Sequence, residues 1–349
     1  MQKKLIALAV AGLVSAPAFA QSNVTIYGVA DAYMAFGDHG DNDMGAINSG
    51  GLSGSRLGFR GVEDLGNGLK AVFTFEQGYN VDDGTGLGGN SRQSFVGLSG
   101  GFGTVSLGRQ YAPGYDFIAD SFGSSPILSP QAILSGAVGS TIDASSDARW
   151  NNSVAYNGAF SGLKVRAIYS MDADVSGRSA TEVGTDPYDD DALGLGLDYS
   201  NGPLRVAAVY QYLKDGVGSA TSDDQTEWSV GGSYNFGILT LAANYQDYEA
   251  VGNLSGNDGD IWQVGVVVPV GAAGNVHLGY GELDADLADA KAKSYSIAYT
   301  HALSKRTTAY AGYNRTDNDT GLNIGVVPAP AGVTGEEADV FAVGVRHTF

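Results

Sequence analysis

The last ten residues constrain this chain more than any other stretch. From Val340 onward, Phe341, Val343, Val345, His347 and Phe349 fall on one face of an extended strand. Ala342, Gly344, Arg346 and Thr348 fall on the other. A two-residue period belongs to a strand, because only there do successive side chains point to opposite faces. The strand has one apolar face and one small or charged face, and it runs out to an aromatic residue.

The opposite end reads as a secretion leader. Lys3 and Lys4 supply its positive end, Leu5 to Val14 its apolar stretch, and Ala18-Phe19-Ala20 its small-residue cleavage site. The domain boundaries expected are a signal peptide over 1–20 and a single β domain over 21–349. The leader's apolar part is too short to cross a bilayer as a helix, and no later apolar run approaches that length. A membrane protein without such helices has to be a closed barrel, since lipid satisfies no backbone group at an open sheet edge. The chain has no cysteine, and at this size it can bury enough surface without disulfides. Its 52 glycines are accompanied by 19 tyrosines, a mixture foreign to disordered chains.

The two-residue period recurs throughout. Leu193, Leu195, Leu197 and Tyr199 alternate with Gly194, Gly196, Asp198 and Ser200, and Leu239, Leu241, Ala243 and Tyr245 with Thr240, Ala242, Asn244 and Gln246. Sixteen strands are expected, from 23–36 and 54–64 at the start to 303–314 and 337–349 at the end. Every second connection is short: Gly66-Asn67-Gly68, Gly100-Gly101, Asn201-Gly202, Phe236-Gly237 and Ala302-Leu303-Ser304. Those between are mostly long, such as 37–53, 173–189 and 315–336. Outer-membrane barrels combine tight turns at one end, long loops at the other and an even strand number. A soluble sandwich has no reason to sort its connections by parity.

Charge sorts the same way. The chain carries 38 acidic and 19 basic residues, a net −19. Nearly all the acids fall in the long connections or their margins, for example Asp38, Asp41 and Asp43, or Asp284, Asp286 and Asp289. The exceptions are Asp31, Glu63, Asp64, Glu76 and Asp198. The bases sit mostly in strands: Arg56, Arg60, Lys70, Arg92, Lys164, Arg166, Arg205 and Arg346. A lysine or arginine facing lipid at mid-membrane costs about 2–4 kcal/mol, so these must face a wet lumen. A wet lumen lined by fixed charge implies a conduit. Aromatics near strand ends suit headgroup girdles, with Trp150, Trp228, Trp262 and Tyr295 expected at the outer rim. Tyr156, Tyr199, Tyr234 and Phe349 are expected at the periplasmic rim.

Motifs for chemistry fail on context. Gly84, Gly86 and Gly89 fit a dinucleotide spacing, but another strand follows where a helix N-terminus is required. Gly97-Leu98-Ser99-Gly100-Gly101 fits a nucleophile-elbow spacing, but at a strand–turn–strand junction. His39, His277, His301 and His347 are scattered. Asp317-Asn318-Asp319-Thr320-Gly321 is only part of a calcium loop. No catalytic residue, cofactor or metal ligand is assigned, and nothing points to nucleic acid.

Several words resemble the proteobacterial trimeric porins, the general-diffusion porins of Gram-negative bacteria. They are Val24-Thr25-Ile26-Tyr27-Gly28, Ser55-Arg56-Leu57-Gly58-Phe59-Arg60-Gly61 and Glu63-Asp64-Leu65-Gly66-Asn67-Gly68-Leu69-Lys70-Ala71. Further matches are Phe102-Gly103-Thr104-Val105, Leu107-Gly108-Arg109-Gln110, Asn152-Ser153-Val154 with Tyr156, Leu303-Ser304-Lys305-Arg306-Thr307 and the terminal Val343 to Phe349. The resemblance implies an all-β, 16-stranded antiparallel transmembrane barrel in the outer membrane, a homotrimer, and passive flow of small hydrophilic solutes and ions. Outer-membrane lipid, lipopolysaccharide and the outer-membrane assembly machinery are the other partners implied, the last reading Phe349 as its terminal signal.

The resemblance further implies that the third outer loop folds into the lumen and narrows it. That loop is the longest connection, Tyr111 to Asp147, with Asp116, Asp120, Asp143 and Asp147 as its acids. Asp116 and Asp120 would oppose a wall of Arg56 and Arg92, joined by Arg60, Lys70 and Arg149, with Glu76 as a wall acid. The acidic mouth leads us to expect a weak cation preference, reduced by the arginines. A substrate-specific channel, and more remotely a phospholipase-type barrel enzyme or a plugged structural barrel, are the alternatives.

Overall fold

A computed structural model describes residues 23–39, 42–89, 91–123, 125–143, 148–171, 191–214, 222–286, 290–326 and 334–349. The expected leader and Asp147 lie outside these. The described residues form seventeen strands in one antiparallel sheet. In chain order they are β1 (Asn23–His39), β2 (Asn42–Ser49), β3 (Arg56–Gly66), β4 (Leu69–Gly78), β5 (Ser91–Gly100), β6 (Gly103–Tyr111), β7 (Arg149–Phe160) and β8 (Leu163–Ser170). Then follow β9 (Ala192–Asn201), β10 (Leu204–Leu213), β11 (Gln225–Asn235), β12 (Thr240–Glu249), β13 (Gly259–Val270), β14 (Gly274–Ala285), β15 (Lys291–Ala302), β16 (Thr307–Asn318) and β17 (Ala338–Thr348).

Apart from β2 and β3, which both pair with β1, each strand pairs with its neighbour in sequence, and β17 returns to β1, with Val29 opposite Thr348 and His39 opposite Ala338. That pairing closes the ring. The barrel has sixteen staves because β2 and β3 share one. The upper part of β1 pairs with β2 and the lower part with β3, and residues 50–55 interrupt the stave between them. The expected long loop over 37–53 is therefore corrected. β1 runs on to His39, which pairs with Asn42 of β2, and β2 extends the wall. Asn42 to Ser49 is polar or small at nearly every position, so it carries no apolar alternation to mark it. Its pairing with β1 alone makes it a strand.

One face of nearly every stave is exposed and apolar. Val206 and Tyr210 on β10, Val230 on β11, Ile297 on β15 and Val343 on β17 belong to this belt. The opposite face lines the interior and is buried or polar. Trp228, Trp262, Tyr295, Tyr199, Tyr234 and Phe349 are exposed on the outward side, as the girdle reading requires. Trp150 is not: it is fully buried with Ala112, Ala155, Ile168, Ala192 and Leu213. The pairing of β6 with β7 slips between Gly108 and Gln110, and Asn152 takes a left-handed φ of 44°. That irregularity turns Trp150 inward, against the alternation below it.

The described residues of the connection between Tyr111 and Arg149 pack against the inner side of the barrel wall. The connection begins with a single 3-10 turn (Pro113–Tyr115) and carries one helix, α1 (Pro130–Val138). Ser129 caps α1 by accepting the Ala132 amide, Pro130 opens it, and Gly139 ends it with φ 83°. Phe122, Ile127, Leu128, Ile133 and Leu134 pack with Ile261, Leu283, Ala298, Tyr310 and Ala342 of the wall. Full burial of such a side chain contributes about 1.5–3 kcal/mol, enough to offset the ordering of the residue that carries it. Small wall residues make room: a Cβ on Gly279 would stand 2.6 Å from the Phe122 ring.

Candidate functional site

The inner wall between β3 and β7 carries a connected charged network. Glu76 on β4 is buried and acts as its hub. It accepts Nε of Arg92 at 2.8 Å, the Tyr27 hydroxyl at 2.9 Å and the Tyr111 hydroxyl at 3.0 Å, while Nε of Arg56 lies 3.7 Å away. Arg92 Nη2 donates to the hydroxyls of Tyr111 and Tyr115 at 3.0 and 2.9 Å. Those two rings stack 3.7 Å apart, and Arg149 lies over both, 5.5 and 5.3 Å from their centroids. Arg60 lies 5.1 Å from the centre of the Tyr27 ring. The structure thus gathers Arg56, Arg60, Glu76, Arg92 and Arg149 on adjoining staves.

Local chain geometry accounts for the convergence. Arg56 and Arg60 share the inner face of β3, two alternations apart. Arg92 would follow Ser94, Val96 and Leu98 to the lipid side if β5 were regular. A bulge intervenes: Glu76 pairs with Gln93 and Gln77 with Ser91, leaving Arg92 as the extra residue. Such a bulge re-aims a side chain, and here it turns Arg92 onto Glu76. Tyr111 and Tyr115 reach the network because the chain turns inward at Pro113. Lys70 sits on the same face of β4 as Glu76 but six residues nearer the short turn, about 20 Å along the strand.

The loop acids take up different positions. Asp116 binds Arg166 of β8 through both carboxylate oxygens, at 2.7 and 3.3 Å. Asp120 Oδ1 accepts the Phe122 amide at 2.9 Å. The carboxylate that meets Arg56 and Arg92 is therefore Glu76 of the wall itself.

A second set of contacts pins the loop to the far wall. Buried Glu227 on β11 accepts the Thr141 amide at 2.9 Å and the Thr141 hydroxyl at 2.7 Å, with Ser140 and Gln225 as further donors. Gln246 donates to Ser140 Oγ at 2.6 Å, and Gln131 bridges to Gln246 at 3.0 Å. Gln211 accepts the Gly114 amide at 2.7 Å, Gln263 reaches the Ala119 carbonyl, and His277 meets that of Ser121 at 2.7 Å. Arg205 donates to the carbonyls of Asp116 and Ile118, each at 3.1 Å. Sequence reading missed Glu227, Tyr111, Tyr115 and Gln246 as participants. Inward alternation placed Gln246 on the correct face, but its partner lies more than a hundred residues away and leaves no local signal.

A closed sheet, apolar outside and charged within, narrowed by a pinned internal segment, is a transmembrane β-barrel channel. A family model described as "Gram-negative porin" matches residues 7–321, and the chain belongs to that family. It is 35% identical to outer membrane porin protein 32 of Delftia acidovorans, over the full length of both chains. It is 30% identical, again over both full lengths, to an outer membrane porin of Bordetella pertussis. Among solved structures it matches an anion-selective porin from Comamonas acidovorans with a TM-score of 0.80 and 31% identity, covering 94% of this chain and 100% of that one. The protein resides in the bacterial outer membrane and forms a water-filled channel for passive diffusion of small hydrophilic solutes.

Proposed function

We propose that this pore favours small anions over cations, with selectivity set by Arg56, Arg60, Arg92 and Arg149. The observation that carries this reading is the charge ratio in the network: four guanidinium groups around the single carboxylate of Glu76. An ion in the narrow lumen passes these charges within about one Debye length, some 8 Å at physiological salt. Described acids of the outer connections such as Asp82, Asp83, Asp223 and Asp224 are exposed, where salt screens them more strongly. Asp116 adds little on the loop side, since Arg166 neutralises it. This reading departs from the cation preference expected from the acidic outer connections. The relative of known structure that is described as anion-selective supports it.

Further roles follow as part of the same reading. Residues 1–20 act as a cleaved leader. Three copies assemble, with the remaining outward belt against lipid and the acidic rim near lipopolysaccharide. Phe349, exposed at the periplasmic edge with its ring over Gly28, serves as the assembly machinery's terminal signal. No side chain is assigned a catalytic role. Reversal potential in a planar bilayer under a KCl gradient tests the main claim. A potential set by chloride supports it, and one set by potassium overturns it.

A further inference from the structure

We propose that the periplasmic end of the lumen holds a second anion station, centred on Lys164, which takes a small monocarboxylate. It rests on the anion preference proposed above. A cavity of about 750 Å³ lies here, on the inner side of β6 to β10. Thr104, Asn157, Lys164, Arg166, Ser200 and Arg205 contribute to its lining, with Asp116 and Asp198. It is distinct from the Glu76 network, whose residues do not line it.

The charges do not balance. Arg166 is taken by Asp116, and Arg205 binds Asp198 through Nε at 3.0 Å and Nη2 at 2.9 Å. Asp198 lies opposite Lys164 in the β8–β9 register, yet its carboxylate is turned to Arg205. Lys164 is exposed to the lumen and makes no ion pair among the described residues. Two carboxylates against three cations leave one positive charge, on an ammonium with three N–H donors.

A neutral donor shares its cavity. The Asn157 carbonyl oxygen accepts Arg166 Nε at 2.7 Å, which fixes the amide and leaves its NH2 group to the cavity. The hydroxyls of Thr104 and Ser200 line the same wall but donate to Ser99 and Asp198. A singly charged carboxylate would offset the excess charge and take the directional Asn157 and Lys164 donors, which chloride exploits less well. The volume admits the anion with part of its water. A solute leaving the arginine wall would then meet a weaker site before release, and multiple weak sites sustain flow better than one strong site.

The test is single-channel conductance against salt concentration, in potassium acetate and in KCl, for native protein, Lys164→Gln, Lys164→Met and Lys164→Arg. Native conductance should saturate in acetate. Both neutral variants should raise the half-saturating acetate concentration about fivefold, with chloride changed less than twofold, while Lys164→Arg stays near native. Unchanged acetate saturation in the neutral variants overturns the station. Equal shifts in acetate and chloride also overturn it, reducing Lys164 to general field. The KCl reversal potential of native protein separates the two readings: chloride preference with unmoved acetate saturation leaves the anion pore standing without the station.

Discussion

The two halves of the inner wall do different work with similar polar content. From β3 to β7 the wall is charged, and its guanidinium groups are held by one carboxylate and a set of tyrosines. From β10 to β14 it offers amides, hydroxyls and the Glu227 carboxylate, and these are consumed by the inserted loop. One wall presents Arg60 and part of Arg56 to the water path, with Arg92 and Arg149 buried behind them, while the other gives its hydrogen bonds to the inserted segment. Selectivity and narrowing are thereby separated in space, so that substitutions should uncouple them.

Arg92→Met should have the largest effect. Removing the closer partner of a buried ion pair leaves Glu76 with only the longer Arg56 contact and its tyrosine donors, at about 3 kcal/mol. Thermal unfolding in detergent should drop, and chloride preference should fall in the bilayer. Glu227→Ala should come next, near 3 kcal/mol, because it orphans the Thr141 amide and several hydroxyl and amide donors. Its signature is opposite in kind: noisy, enlarged conductance with the KCl reversal potential near native. A shared selectivity loss in both variants would break the separation of the walls.

Gly196→Ala should cost about 1–3 kcal/mol. Its Cβ would stand 2.6 Å from Pro113 and 2.7 Å from the Phe117 ring, so the start of the loop must shift. Conductance should change without an effect on sign. The smallest effect belongs to Arg166→Gln, at most about 1 kcal/mol, because Asp116 is half exposed. It frees one loop acid, and a measurable decline in chloride preference would show how much that pairing shields.

Much of this architecture was legible from alternation and connection length. The short turns fell at Asn67-Gly68, Asn201-Gly202 and Leu303, and inward positions such as Lys164, Arg166 and Arg205 were correctly faced. Reading failed where alternation is not the controlling force. Asn42 to Ser49 is a strand through its pairing with β1 alone. At the two irregularities, Trp150 and Arg92 leave the face that counting assigns them. Arg92 was nevertheless placed in the lumen by the cost of a charge facing lipid, and on the wall by family resemblance, not by its period. The partners of Asp116 and Glu227 depend on where the loop crosses a closed ring, and no local pattern encodes a distance across the barrel.

The seam between β1 and β17 has a consequence for how the molecule comes into being. Val29 meets Thr348, and the backbones of Gly28 and Phe349 exchange two hydrogen bonds, across more than three hundred positions of chain. Until β17 is in place, β1 has no second neighbour and the ring stays open. Contacts of such long range are slow to form. The nascent polypeptide therefore has to keep one side of β1 unpaired, apolar on alternate residues, until β17 reaches it.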